Sequence, residues 1–171
     1  MTSTFNITNL GQSGLFINYL NNNILVDPYL SNSVEELESP TIKRLIKIPF
    51  KPEDIKNVNL VLITHNHIDH CDPMTIPKIY EKNPNAFFAG PQPVVKLLLE
   101  WGLKKERILS IRDLPLKLEP NLSISSIPAA HPELTISSDG TPEAIGWILN
   151  NEDKIIYISG DMFKIFTIIC Q

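Results

Sequence analysis

Histidine is scarce in this chain, yet its distribution is uneven: of four histidines in 171 residues, His65, His67 and His70 fall within the single stretch LVLITHNHIDHCDP, residues 60–73. Asp69 lies between the last two. Neutral imidazole nitrogens and carboxylate oxygens are good ligands for Zn²⁺ and its neighbours. His65 and His67 are two apart, and in extended backbone alternate residues point the same way, so both reach one cation. Asp69 and His70 follow after a bend and face a second position nearby. One segment thus offers ligands for two metals about 3.5–4 Å apart, the spacing of two-metal hydrolases. A histidine-rich solubility tract is a poor alternative, because an apolar run feeds directly into the cluster.

The elements that must position these residues can be read from hydropathy patterns. NLVLITH (59–65) is a continuous apolar run ending in polar residues, as expected of a strand buried on both faces. Its ligands therefore sit at a strand end, where loops carry function. His131 follows another strand-like run, SISSIPAA, and Asp161 ends a third, KIIYISGD. Alone, Asp161 reads as a turn aspartate after Gly160. Three strand ends that each deliver a ligand type favour a shared site, with His131 completing the trio begun by His65 and His67. Gly160 lets the backbone approach closely there, where a carboxylate could bridge two cations.

Elsewhere, LFINYL (15–20) and NNILVD (22–27) predict a hairpin turning at Asn21 and Asn22, and DPYLSNSVEELESP a loop whose VEELE is a solvated acidic face. In RLIKIPFKPEDIKNV the prolines break any helix, though PEDI fits one turn. DPMTIPKIYEKNP predicts a helix opening near Asp72 and Pro73, with Pro77 tolerable only in its first turn. AFFAG is a short strand, and PQPVVKLLLEWGL (91–103) an amphipathic helix stopped at Gly102. RILSI, LSISSIP and AIGWILNNEDKIIYISGD are strands, the last with a hairpin at 150–153. The order implies a layered, mixed α/β single domain over 1–171.

Composition bounds the rest. The chain is 43% hydrophobic and 20% charged, with fourteen prolines and a net charge of −4. That balance suits an ordinary globular protein. It lacks the basic stripe of a nucleic-acid binder, and KKERIL (104–109) is a solvated helix end rather than a phosphate site. No apolar run approaches a membrane span, and MTSTFNITNL is not a signal peptide. The default expectation is a cytoplasmic protein without nucleic-acid or membrane partners. Cys71 and Cys170 suggest no disulfide framework.

THNHIDH resembles the HxHxDH signature of the metallo-β-lactamase superfamily, and AAHPE and SGD follow in the order of its later ligand motifs. The resemblance implies an αββα sandwich with metals at one edge. It implies that His65, His67 and His131 hold one metal, Asp69 and His70 the other, and that Asp161 bridges. Asp27 in ILVDPYL matches the aspartate that supports the metal loop from behind, and GQSGLFI looks like the opening hairpin. VDPYLS, HIDHCDP, AGPQPVVKLLLEWGLKKERIL and IPAAHPE most resemble the branch containing L-ascorbate-6-phosphate lactonase. The resemblance implies hydrolysis of a small-molecule substrate, a lactone for that branch, with activated water attacking a carbonyl or phosphoryl centre and Asp69 relaying a proton. Zn²⁺, one ion or two, and Mn²⁺ both fit such ligands.

One departure bears on that expectation. The family continues past the aspartate through a second αβ half to a further histidine, whereas here MFKIFTIICQ ends the chain. Truncation explains that ending better than a terminal strand does. A largely missing second half implies one firm metal and one weak one, a catalytically weak fragment as the alternative to an active enzyme, and self-association through uncovered sheet.

Overall fold

The computed structural model describes residues 4–118 and 120–162. Two sheets lie face to face. The first has six strands in chain order: β1 (Asn6–Gly11), β2 (Gly14–Tyr19), β3 (Asn22–Val26), β4 (Leu60–Leu62), β5 (Phe87–Gly90) and β6 (Ile108–Ser110). β1 to β3 are antiparallel, and β3 to β6 are parallel. The second sheet is antiparallel, in the order β10 (Ile155–Ile158), β9 (Ile145–Asn150), β8 (Leu122–Pro128) and β7 (Leu116–Leu118).

Strand alternation assigns the two cores. Leu25, Val61, Ile63 and Phe88 point outward from the first sheet onto α1 (Ile76–Lys82) and α2 (Gln92–Glu100), where Ile76, Ile79, Val94 and Leu98 are buried. Their neighbours Ile24, Val26, Leu60, Leu62 and Ala89 point inward against Ile124, Ile145, Trp147 and Leu149 of the second sheet. β4 is buried on both faces, as its unbroken apolar run requires. The result is three layers, helix, sheet and sheet. Among the described residues no helix covers the outer face of the second sheet, where Ile155 and Tyr157 are exposed.

Several expectations need correction. α1 begins at Ile76, not at Asp72. The Asp72 carbonyl first accepts from the amides of Thr75 and Ile76 in a preceding turn. Pro77 therefore falls in the first helical turn, where its missing N–H has no partner to lose. VEELE is not loop but a short helical turn, Val34–Glu38, that buries Val34. β1 and β7 form strands that hydropathy alone did not single out. PEDI forms the expected single turn at Pro52–Asp54. Residues 163–171, including Cys170 and most of the apolar ending, lie outside the described residues; Cys71 is buried and free.

Gly90 is where β5 hands over to α2. A Cβ there would stand 2.6 Å from Val94 Cγ1 and 3.3 Å from the Ile63 carbonyl oxygen. Overpacking of this kind costs about 1–3 kcal/mol. Gly90→Ala is expected to lower stability by that amount in urea unfolding, and the cost is expected to shrink when measured in a Val94→Ala background. Equal costs in both backgrounds would show that the close approach is not the cause.

Candidate metal centre

The site is built where three strands end. β4 runs through Ile63 and Thr64 to His65, all buried. β8 continues through buried Ala129 and Ala130 to His131. After β10 the chain passes Gly160 to Asp161. Gly160 has φ +60°, and a Cβ on it would lie 2.9 Å from Thr64 Cβ. Only the absence of that atom lets this strand end cross Thr64 and bring Asp161 to the histidines. The Ile145 amide donates to the Thr64 carbonyl at 3.0 Å, locking the second sheet to the end of β4.

Five of the six sequence-predicted donors fall into two compact groups that share His65, and Asp69 lies beside them. His65, His67 and His131 each offer a ligand atom, all within 4.8 Å of one another, and so do His65, His70 and Asp161. His131 Nε2 is 3.0 Å from His67 Nδ1; two nitrogens on one tetrahedral Zn²⁺ would stand roughly 3.3 Å apart, from Zn–N distances near 2.0–2.1 Å. His70 Nε2 lies 3.3 Å from Asp161 Oδ1 and 3.8 Å from Asp69 Oδ2. The sequence reading grouped Asp69 with His70 and Asp161. In the structure the compact second set contains His65 instead, with Asp69 beside it. The Asp69 carbonyl is held by the Ser13 hydroxyl at 2.7 Å.

Asp27 fixes which imidazole nitrogens are free. Its Oδ1 accepts from the Thr64 amide at 2.8 Å, and its Oδ2 accepts from the Thr64 hydroxyl at 2.7 Å. Oδ2 also lies 2.9 Å from His70 Nδ1. A carboxylate only accepts, so His70 Nδ1 carries a proton, and Nε2 is the nitrogen turned towards Asp161 and Asp69. The Thr64 hydrogen is spent on Asp27, so Thr64 Oγ1, 3.0 Å from His65 Nδ1, accepts from that ring. His65 Nε2 is then a bare acceptor. It is buried with no hydrogen-bond partner.

That orphaned nitrogen is the test of whether a cation fits here. A buried acceptor facing three other imidazoles has no protein donor to satisfy it, and such an atom costs about 1–3 kcal/mol when left alone. A divalent ion supplies what is lacking. The electrostatics agree. Burial, then the neighbouring His70, His67 and His131, push His65 down to about 2. For His70 burial acts downward, but the Asp27 hydrogen bond and the charges of Asp27, Asp69 and Asp161 raise it overall. Sequence reasoning missed Thr64 and Ser13. Their roles depend on strand packing, and the only local signal was the position of Thr64 directly before His65.

The sequence profile of the β-lactamase superfamily domain matches residues 22–165. A UPF0173 metal-dependent hydrolase of Aeropyrum pernix is 29% identical over 168 residues, covering 91% of this chain and 60% of its own length. A Salmonella heidelberg protein described as "Probable L-ascorbate-6-phosphate lactonase" is 27% identical over 123 residues, 64% of this chain and 35% of its own. Among solved structures, the metallo hydrolase Igni18 of Ignicoccus hospitalis shares the fold, with a TM-score of 0.64 at 24% identity over 95% of this chain and 63% of its own. The chain thus spans less than two thirds of the length of these relatives.

Two expected outcomes follow for the metal-free chain. His65 has a folded value below the unfolded value near 6.5, so the unfolded chain binds the extra proton and stability falls as pH drops from about 6.5 towards about 2. His70 is raised, so its contribution is complete below about 6.5 and fades as pH rises through its folded value. In chelator, the urea midpoint is expected to peak near neutrality. The acid limb should fall by at most ~1.4 kcal/mol per pH unit from His65, and His65→Asn should flatten it; an unchanged limb would remove His65 as the cause. Asp27→Asn presents an amide donor to His70 and drives its proton to Nε2. Metal affinity, measured against a chromophoric chelator, is expected to fall about 10–100-fold while the far-ultraviolet circular dichroism stays as in the parent.

Proposed function

The chain belongs to the β-lactamase superfamily, and from that premise we propose that it is a metal-dependent hydrolase of a small molecule, lactonase-like in chemistry. The observation that carries the proposal is the buried, partnerless Nε2 of His65 at the meeting point of two donor trios. His65, His67 and His131 would hold one ion. His70 and Asp161, with His65 or Asp69 completing the set, would hold a second. Zn²⁺ suits both sets, and Mn²⁺ is the alternative for the carboxylate-bearing one. When bound, such an ion acts as a Lewis acid that lowers the pKa of water and polarises a carbonyl or phosphoryl oxygen.

The chain's own residues do the rest. Asp27 and Thr64 hold His65 and His70 through their Nδ1 atoms, which turns both Nε2 atoms inward to where a cation would sit. Asp69 is partly exposed, with 40% of its side chain open, beside His70. It is the group placed to take a proton from attacking water and return it to the leaving oxygen. Lactone ring opening is favoured by the motif pattern shared with the lactonase-like branch and by the printed description of the Salmonella relative. A second reading is a chain that binds metal with little turnover. It is supported by the exposed position of Asp161, whose side chain is 48% open, and it makes the second ion the weaker one. Self-association through the outer edge of the second sheet, where Ile155 and Tyr157 are exposed, and a cytoplasmic setting belong to the same proposal. Among the described residues no helix is long and apolar enough to cross a membrane.

Metal analysis after desalting is expected to return one retained ion per chain, and assay against lactones and phosphoesters to show hydrolysis that His67→Ala removes. Hydrolysis that survives His67→Ala would take the reaction away from this centre. Two tightly held ions would refute the inequality of the two positions, and one retained ion without turnover would select the second reading.

A further inference from the structure

A second buried carboxylate follows the ligand loop. Asp72, Ser31 and Thr75 are all buried together. Asp72 Oδ1 accepts from the Met74 amide at 2.9 Å. Its Oδ2 accepts from the Ser31 hydroxyl at 2.7 Å and from the Thr75 hydroxyl. Both hydroxyls are themselves held by backbone. Thr75 Oγ1 accepts from the Leu30 amide at 3.0 Å, and Ser31 Oγ from the Ser33 amide at 3.0 Å. The bonds to Met74 and Thr75 complete the turn before α1. The Ser31–Asp72 and Leu30–Thr75 bonds do something else: they cross 41 and 45 residues of sequence to the loop that leaves Asp27.

That loop is gripped from a second direction too. The carbonyls of Tyr29 and Ser31 accept from Arg44 at 2.7 and 3.4 Å, and the guanidinium carbon lies 4.5 Å from the centre of the Tyr29 ring. Asp27 stands just before this stretch, in a left-handed conformation with φ +44° that neighbouring bonds must enforce. His70, just before Asp72, places Nδ1 2.9 Å from Asp27 Oδ2. The two segments therefore meet twice, at Asp27–His70 and at Ser31–Asp72. The first meeting holds a ligand. The second contains none, so ligation does not explain it. Apolar packing could close these loops without desolvating a charge. What a carboxylate adds is direction, because each of its lone pairs fixes where one donor must lie.

We propose that Asp72 is a positioning residue for the metal centre: through Ser31 and Thr75 it sets the register of the Asp27 segment against the ligand loop, and with it the Asp27–His70 hydrogen bond. The inference rests on the reading of the histidines as a metal centre and adds to it a residue that touches none of the donors. Ligand groups work only within about 0.5 Å of their productive positions. One bond between Asp27 and His70 leaves both segments free to pivot about it. A second meeting on the same side of the sheet, fixed by three donors, removes that freedom.

The test reads the Asp27–His70 bond itself. In the chelator-treated full chain the proton on His70 Nδ1, buried against a carboxylate, should give a downfield, slowly exchanging resonance in proton magnetic resonance, identified by its loss in Asp27→Asn. Asp72→Asn keeps the shape but puts an amide donor where two hydroxyls donate. Ser31→Ala removes only the link to the other segment, and carries the test if Asp72→Asn does not fold. Both variants are expected to move the resonance upfield, to speed its exchange with solvent, and to weaken zinc binding about tenfold against a chromophoric chelator, the lower end of the loss for groups that support ligands. Leu98→Ala, in the α2 core, is the control: it lowers the urea midpoint and leaves the resonance in place. If Asp72→Asn and Ser31→Ala behave like Leu98→Ala, with lower stability but an unmoved resonance and unchanged zinc affinity, the role is structural and the proposal is overturned. If the resonance responds as expected while even the parent chain takes up no zinc, the positioning role stands and the metal reading falls.

Discussion

The two buried histidines of the candidate metal centre take their orientation from one buried carboxylate. Asp27 is 2% exposed and stands at the end of β3, with φ +44°. Its amide donates to the Leu62 carbonyl, continuing the β3–β4 ladder one step, while its side chain turns across to Thr64 and His70. A buried carboxylate is tolerable only when its oxygens are well supplied with donors. Here three donors meet that need: an amide, a hydroxyl and an imidazole. The same bonds that solvate Asp27 also dictate the tautomers of two ligands, one directly and one through Thr64. The burial of the Asp27 charge and the orientation of His65 and His70 are therefore coupled through one residue.

The layers exist to bring that arrangement together. β4 can be apolar throughout because helices cover one face and the second sheet the other, and its hydrophobic run ends where the polar donors begin. Packing Leu60 and Leu62 against Trp147 and Leu149 sets how far the second sheet sits from the first. That spacing delivers His131 and Asp161 from strands more than sixty residues away in sequence. Without a cation, the convergence leaves four imidazoles and two carboxylates in conflict. His65 is held neutral by its surroundings while His70 is drawn towards its charged form. Conflict of that kind marks a functional site, because packing elsewhere must hold the groups together against it.

How far the sequence foretold this divides along physical lines. β3, β4, β5, β8, β9 and β10 were legible because each is a short apolar or alternating run bounded by turn residues, and α2 because its apolar stripe is periodic. The histidine cluster was legible because scarcity made it conspicuous. β7 was not, since LKL is three residues after a proline and owes its strand state to pairing with β8. The start of α1 shifted by four residues because Asp72 spends its carbonyl on a turn, and its carboxylate on Ser31 and the Met74 amide, rather than on capping the helix. The exchange of His65 for Asp69 in the second donor set arises from tertiary geometry alone. Linear order placed Asp69 nearest His70, but Ser13, 56 residues earlier, anchors the Asp69 backbone. Arg44 lay within a stretch whose mixed character hid it.

The β1–β2 turn links two loops mechanically. Gln12 and Ser13 are adjacent in sequence and face opposite duties: Gln12 steadies the segment that carries Lys43 and Arg44, and Ser13 steadies the loop that carries Asp69. Gln12 itself has φ +51°, a conformation a non-glycine residue holds only where neighbouring bonds enforce it. A shift in this turn would move the segment around Leu45 and the Asp69 backbone as a unit, so the distance from Asp69 to the histidines is carried by hydrogen bonds from neighbouring residues. Such a short lever suits a site that must set that distance finely. It also accounts for the placement of the opening hairpin, which closes the sheet edge with β1 and anchors Ile17 and Tyr19 of β2 in the core between the sheets, while its turn reaches the Asp69 loop.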